Sequence, residues 1–137
     1  MRPDAAEGAR RAPDWPKVLL AMEGAALLAV ALFAYSRFGG DWGRFALLFL
    51  APDVAILFYF AGPRVGAVVY NCAHVTFVPL ALAAFGLLSG KPIVIQLALI
   101  HLAHIGFDRA LGFGLKYPTA FGDTHLGRAD IELRRRR

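Results

Sequence analysis

Four apolar stretches, each close to 20 residues long, make up most of the chain. A helix of about 20 apolar residues crosses the ~30 Å hydrocarbon core of a bilayer. In lipid every backbone N–H and C=O group must be bonded within the protein, so helices are the expected structure. The composition, 58% hydrophobic and 18% charged, excludes an ordinary soluble domain. The predicted spans are about residues 17–36, 45–61, 65–88 and 93–114.

Short, turn-rich links between these stretches predict an all-α, up-down four-helix bundle embedded in a membrane. Of the 15 Lys and Arg residues, only Arg37, Arg44 and Lys91 fall on one side of such a bundle, and the rest fall on the side that holds both termini. Because basic residues are enriched in cytoplasmic segments, both termini are predicted to be cytoplasmic. The expected location is therefore the cytoplasmic membrane of the cell, with the lipid bilayer as partner.

The sequence divides into three parts around this bundle. Residues 1–16 are predicted to form a flexible cytoplasmic tail, residues 17–114 the four-helix membrane domain, and residues 115–137 a cytoplasmic segment with a basic end. The net charge of +5 lies at chain ends and loops, so it indicates topology and no nucleic-acid partner. The single cysteine excludes an intrachain disulfide. No signal for a particular oligomeric state is present.

Ionisable residues recur inside the apolar stretches. His101, His104 and Asp108 follow an i, i+3, i+7 spacing, so they share one face of the fourth helix. Charged groups are costly at membrane depth, and such a row therefore indicates a functional site. Counting ~1.5 Å of rise per residue from the cytoplasmic end places five groups in one layer, roughly 9–15 Å deep. These are Glu23, Asp53, His74, His104 and Asp108.

Imidazole and carboxylate donors from facing helices are suitable ligands for zinc, manganese or iron. The layer therefore predicts a site for one divalent metal ion, bound by Asp53, His74, His104 and Asp108, with Glu23 as general base acting on water. That arrangement predicts a metal-dependent hydrolase acting on a membrane-associated substrate. The residues expected to support the ligands or contact the substrate are Tyr70, Asn71, His101, Arg109, Lys116, Asp123 and His125.

Three other interpretations fit the same residues. The polar layer can be a structural hydrogen-bond network, in which Arg64 and Arg109 neutralise the carboxylates. It can also be a proton path. In either case the protein is a non-enzymatic membrane protein, either a partner subunit or a proton-linked carrier. Haem is a third option, because His74 and His104 are expected at similar depth.

Several motifs together resemble the small bacterial membrane family known as domain of unknown function 4260, over about residues 17–127. The motifs are Leu50-Ala-Pro-Asp53, Gly62-Pro-Arg-Val-Gly66, Tyr70-Asn-Cys-Ala-His74, His104-Ile-Gly-Phe-Asp-Arg109, Gly112-Phe-Gly-Leu-Lys-Tyr117 and Asp123-Thr-His-Leu-Gly127. This resemblance implies a four-span integral membrane protein and no particular activity.

A weaker resemblance is to the SOS-regulated membrane-bound metal-dependent hydrolases. Pro52-Asp53, His74, and His104 with Asp108 occur in the same order as the corresponding elements of those proteins. The middle element differs, because those hydrolases carry a longer histidine pair where this chain has Asn71-Cys-Ala-His74. What this second resemblance implies is a metal-dependent hydrolase.

Overall fold

The computed structural model describes residues 13–128, so most of the predicted N-terminal tail and the basic C-terminal end lie outside the described residues. Within this range, four helical stretches are long and apolar enough to cross a membrane: Trp15–Arg37, Trp42–Ala61, Pro63–Leu88 and Pro92–Ala110. They confirm the prediction of an all-α four-helix bundle and define a multi-pass membrane protein. The orientation of the termini stays a prediction.

Two of the four stretches are interrupted. The second consists of α2 (Trp42–Leu48) followed by a 3₁₀ helix (Ala51–Ala61), and the change coincides with Pro52. Proline has no backbone N–H, so it removes a bond of the α-helical ladder, and the chain continues with the tighter 3₁₀ pattern. The first such bond at the junction runs from the Asp53 N–H to the Leu50 carbonyl, at 3.1 Å.

The third stretch divides into α3 (Pro63–His74) and α4 (Phe77–Leu88). Val75 between them is extended, with φ −87° and ψ 131°. Pro79 lacks the N–H that would bond to the Val75 carbonyl in a continuous helix, which permits the break at this point. His74 therefore ends a helix in the middle of a membrane-spanning stretch, beside backbone that a continuous helix would have enclosed.

The fourth stretch is a single helix, α5 (Pro92–Ala110), and it is the most buried of the four. It packs mainly against α1 (Trp15–Arg37) and α4, while the 3₁₀ helix packs against α3. Small residues allow α1 and α5 to approach closely, since a Cβ atom at Gly106 would lie 2.7 Å from the Leu28 backbone nitrogen. The helix ends at Ala110, earlier than the predicted residue 114, and Gly112 follows with φ +87°.

The segment after α5 folds back onto the end of α3. The Asn71 side chain donates a hydrogen bond to the Lys116 carbonyl at 2.8 Å and accepts one from the Lys116 N–H at 2.7 Å. Farther along, the Phe121 ring meets the Tyr59 ring edge-to-face. A two-residue antiparallel pair, β1 (Asp123–Thr124) and β2 (Gly127–Arg128), closes the segment. This polar segment, residues 111–128, therefore covers one end of the bundle.

Candidate metal centre

Four of the predicted site residues converge on one point. Asp53 comes from the 3₁₀ helix, His74 from the last residue of α3, and His104 and Asp108 from α5. His104 and Asp108 are four residues apart, so both side chains leave the same face of α5. One donor atom from each of the four residues lies within 4.8 Å of every other. The group could hold a metal ion.

The separations of these donor atoms match those around a small cation. The two histidine Nε2 atoms are 3.1 Å apart. Nε2 of His74 lies 3.5 Å from both Asp53 Oδ1 and Asp108 Oδ2, and Nε2 of His104 lies 3.5 Å and 3.4 Å from the same atoms. Donors bound to zinc at ~2.0–2.2 Å in a tetrahedron are about 3.4 Å apart. Five of the six separations among the four residues are therefore close to those in a tetrahedral zinc site, and Asp53 and Asp108 offer donor atoms within 4.8 Å of each other.

Burial divides the group into a closed side and an open side. The side chains of His74 and His104 are 3% and 1% exposed, and that of Asp108 is 14% exposed. Asp53 is different, with 37% of its side chain exposed. The two histidines therefore lie on the buried side of the group, and Asp53 lies on the side that reaches the protein surface.

The backbone and an aromatic neighbour fix the ring of His74. Its Nδ1 lies 2.8 Å from the Tyr70 carbonyl, and the Tyr70 ring stacks on it with centroids 3.7 Å apart. A carbonyl only accepts hydrogen bonds, so Nδ1 of His74 carries the proton. In the neutral ring, Nε2 then has a free lone pair, which points towards Asp53, His104 and Asp108. Such a hydrogen bond is typical of metal-binding histidines. His104 differs, because its buried Nδ1 has no hydrogen-bond partner among residues 13–128.

Glu23 and His101 are not part of this group. Glu23 is exposed on α1, so the structure does not bring the predicted general base together with the four donors. His101 lies one turn before His104, and its Nε2 bonds to the Ala73 carbonyl at 2.5 Å, at the break between α3 and α4. It therefore contacts the backbone beside His74 and not the donors themselves.

Arg109 joins the ends of two helices. It donates hydrogen bonds to the Phe113 carbonyl at 3.1 Å and to the His74 carbonyl at 3.4 Å. The salt bridges that Asp53 and Asp108 form within the described part of the chain are with histidines, not with Arg109 or Arg64. Neither Arg109 nor Arg64 therefore neutralises these carboxylates through a salt bridge.

Lys116 is held in a buried aromatic environment near the centre. Its Nζ donates to the Phe121 carbonyl at 2.7 Å and lies 3.7 Å from the Phe121 ring centroid and 4.7 Å from that of Tyr70. Burial lowers the pKa of Lys116 below its usual value, while the charges of Asp108 and Asp53 oppose that shift. Lys116 therefore places a buried amine one aromatic ring away from His74.

Asp123 and His125 belong to the folded-back segment and lie outside the group of four. Asp123 accepts a hydrogen bond from the Thr119 hydroxyl, and Nδ1 of His125 accepts one from the Leu115 N–H at 2.9 Å. Both side chains thus shape the segment that covers one end of the bundle. Phe121, which holds Lys116, was not predicted, because that contact depends on a turn that helical periodicity does not encode.

The fold and the site together define a class: a multi-pass membrane protein with a four-helix bundle and a His/Asp group that could hold a metal ion. The model of the family described as Domain of unknown function (DUF4260) matches residues 17–129. The chain belongs to this family, which confirms the resemblance to it. No curated protein and no solved structure matches the chain. The weaker resemblance to metal-dependent hydrolases is not supported by these comparisons and stays a prediction.

Proposed function

We propose that Asp53, His74, His104 and Asp108 bind one divalent metal ion, and that this centre hydrolyses a membrane-associated substrate. The observation that carries the proposal is the approach of four donor atoms from three helical segments to 3.1–3.5 Å of their neighbours. The donor set of two nitrogens and two oxygens suits zinc, manganese or iron.

Charge balance supports a cation at this point. Asp53 and Asp108 bring two carboxylates to one point within a membrane-spanning bundle, where unpaired charge is costly. Neither Asp53 nor Asp108 has an arginine or lysine salt bridge within residues 13–128. A divalent cation would neutralise the pair of carboxylates, and Nε2 of His74 would be one of its ligands.

With a metal ion bound, individual residues of the protein would have separate roles in hydrolysis. A divalent ion supplies Lewis acidity and lowers the pKa of water towards neutrality. Asp53, whose Oδ1 faces the histidines, keeps a second carboxylate oxygen that can accept a proton at the open side. Lys116 offers a positive charge near the centre for an anionic group of the substrate. The hydroxyl of water joins one product, and its proton leaves with the other.

Elemental analysis of the purified full-length protein tests the proposal. The wild type is expected to carry about one equivalent of metal when no chelator is used, and His104→Ala and Asp108→Ala are expected to lose it. His101→Ala is the matched control, because it removes an imidazole from the same helix one turn away from the donors. An absence of metal from the wild type, even after loading, would contradict the proposal and favour a structural network or a proton path.

A further inference from the structure

An apolar cleft of about 290 Å³ lies beside the four donors. It is bounded by Leu48 and Pro52 at the break of the second stretch, by Leu82 of α4, and by Leu97 and His101 of α5. Each of these residues belongs to a membrane-spanning stretch, so the open side of the cleft faces hydrocarbon. His101 bonds its Nε2 to the Ala73 backbone, which satisfies that polar atom within the protein. The cleft is therefore an apolar cavity within the membrane.

The residues that line the cleft neighbour two of the four donors along the chain, on two elements. Pro52 lines the cleft, and the next residue, Asp53, supplies a donor. On α5, His101 lines the cleft and His104 supplies a donor one turn later, a rise of roughly 5 Å. The lining residues Pro52 and His101 are consequently within one helical turn of the donor residues Asp53 and His104.

The order of features along α5 matches the order of parts in a lipid. The cleft residues Leu97 and His101 come first, the donors His104 and Asp108 follow, and the polar segment begins after Ala110. A membrane lipid has the same sequence of hydrocarbon chain, polar linkage and headgroup. Arg109 and Lys116 lie at the headgroup end, where their positive charges suit an anionic headgroup.

We infer that the cleft seats one acyl chain of a membrane lipid, and that this lipid, held with its polar linkage at the four donors, is the substrate. This inference rests on the proposed function. The volume is near the lower limit of ~300 Å³ for ligand pockets, which suits a single chain more than a whole diacyl lipid. In the hydrolysis, an ester bond of the linkage breaks, the hydroxyl of water goes to the acyl carbon or phosphorus, and its proton goes to the departing oxygen.

Photolabelling from within the bilayer tests the inference without relying on activity. The full-length protein is placed in vesicles of phosphatidylethanolamine and phosphatidylglycerol that contain a phosphatidylglycerol with a diazirine at the middle of one acyl chain. After illumination, the labelled residues are mapped by mass spectrometry. The label is expected to concentrate on Leu82 and Leu97, above the level on exposed residues elsewhere on the helices, such as Val30.

Variants that fill the cleft sharpen this test. Leu97→Trp is expected to lower the labelling of Leu82 about tenfold, the extent to which a hydrophobic pocket discriminates between occupants. Leu87→Trp is the matched control, since Leu87 is exposed on α4 and does not line the cleft, and it should label like the wild type. Leu82→Trp, read at Leu97, fills the cleft from the opposite wall if Leu97→Trp does not fold.

Metal content, measured on the same samples, separates the two claims. Metal present with labelling concentrated at the cleft and lost in the filled variants supports the inference. Metal present with equal labelling of all exposed apolar residues overturns the inference and leaves the metal centre standing. Absence of metal overturns the proposed function together with the substrate assignment, whereas the labelling pattern still decides whether the cleft holds a chain.

Discussion

Neighbouring side chains on α3 hold the candidate metal centre and its cover together. Tyr70 fixes the ring of His74 through its carbonyl and its aromatic face, and the next residue, Asn71, anchors the backbone of Lys116. Lys116 in turn lies against the rings of Tyr70 and Phe121. The residue that fixes the ring of His74 and the residue that anchors Lys116 are therefore neighbours on one turn of α3.

The buried amine of Lys116 predicts a pH dependence of stability. Because burial lowers the pKa of Lys116 in the folded protein, the folded state releases this proton at a lower pH than the unfolded state does. The unfolded state then binds more protons over that interval, so the free energy of unfolding rises with pH until the unfolded lysine also titrates, near ~10.4. Thermal unfolding in detergent at a series of alkaline pH values measures this change in stability.

Lys116→Met provides the comparison, because methionine keeps much of the apolar stem and cannot titrate. The wild type should gain stability relative to Lys116→Met as the pH rises from neutrality. If the free energies of unfolding of the two proteins changed in parallel with pH, the pKa of Lys116 would be the same in the folded and unfolded states, and the prediction would be wrong.

Proline positions set the geometry of the second stretch and so the place of Asp53. Pro52→Ala restores a backbone N–H and favours a continuous α-helix, which would rotate and shift Asp53 relative to the two histidines. Metal affinity is expected to fall by about 10–100-fold, as when a group that orients a ligand is removed. Titration of metal-depleted protein measures it.

Pro92→Ala is the matched control for that substitution. Pro92 occupies the first turn of α5, where a missing N–H costs no helix bond, so its replacement should leave metal affinity unchanged. Equal affinities for Pro52→Ala and the wild type would mean that the 3₁₀ segment is not what positions Asp53.

The sequence predicted how deep the polar residues lie better than which way they point. Counting residues along each helix brought Asp53, His74, His104 and Asp108 to one layer, and the structure brings them together. The same count included Glu23, but depth leaves the rotation about the helix axis undetermined, and Glu23 is exposed on α1. The break after His74 was not predicted, because its signal, Pro79, lies five residues later.

The whole molecule combines an uninterrupted, largely buried helix, α5, with two membrane-spanning stretches that are broken. α5 supplies two donors and much of the buried core, and α1 packs closely on it at Gly24 and Gly106. The 3₁₀ helix and α3 bring the other two donors as a second packed pair. The candidate metal centre thus lies where these two halves of the bundle meet. The four donors can come together only when both halves are folded and packed against each other.

Orientation in the membrane is a prediction for the whole molecule. The distribution of basic residues places Lys91 on the external side and Arg64 on the cytoplasmic side. Single-cysteine variants Lys91→Cys and Arg64→Cys, made with Cys72→Ala, should react differently with a membrane-impermeant maleimide. In spheroplasts of a bacterial expression host, Lys91→Cys should be labelled and Arg64→Cys protected, and the reverse pattern would invert the topology.

X-ray absorption spectroscopy of the metal-loaded, full-length protein tests most directly whether the four residues form a metal centre. The expected spectrum shows nitrogen and oxygen donors at ~2.0–2.2 Å with the outer-shell scattering of two imidazole rings. His74→Ala should lose one imidazole contribution, and His101→Ala should keep both. A first shell of oxygen donors alone, unchanged in His74→Ala, would show adventitious binding elsewhere and contradict the metal centre.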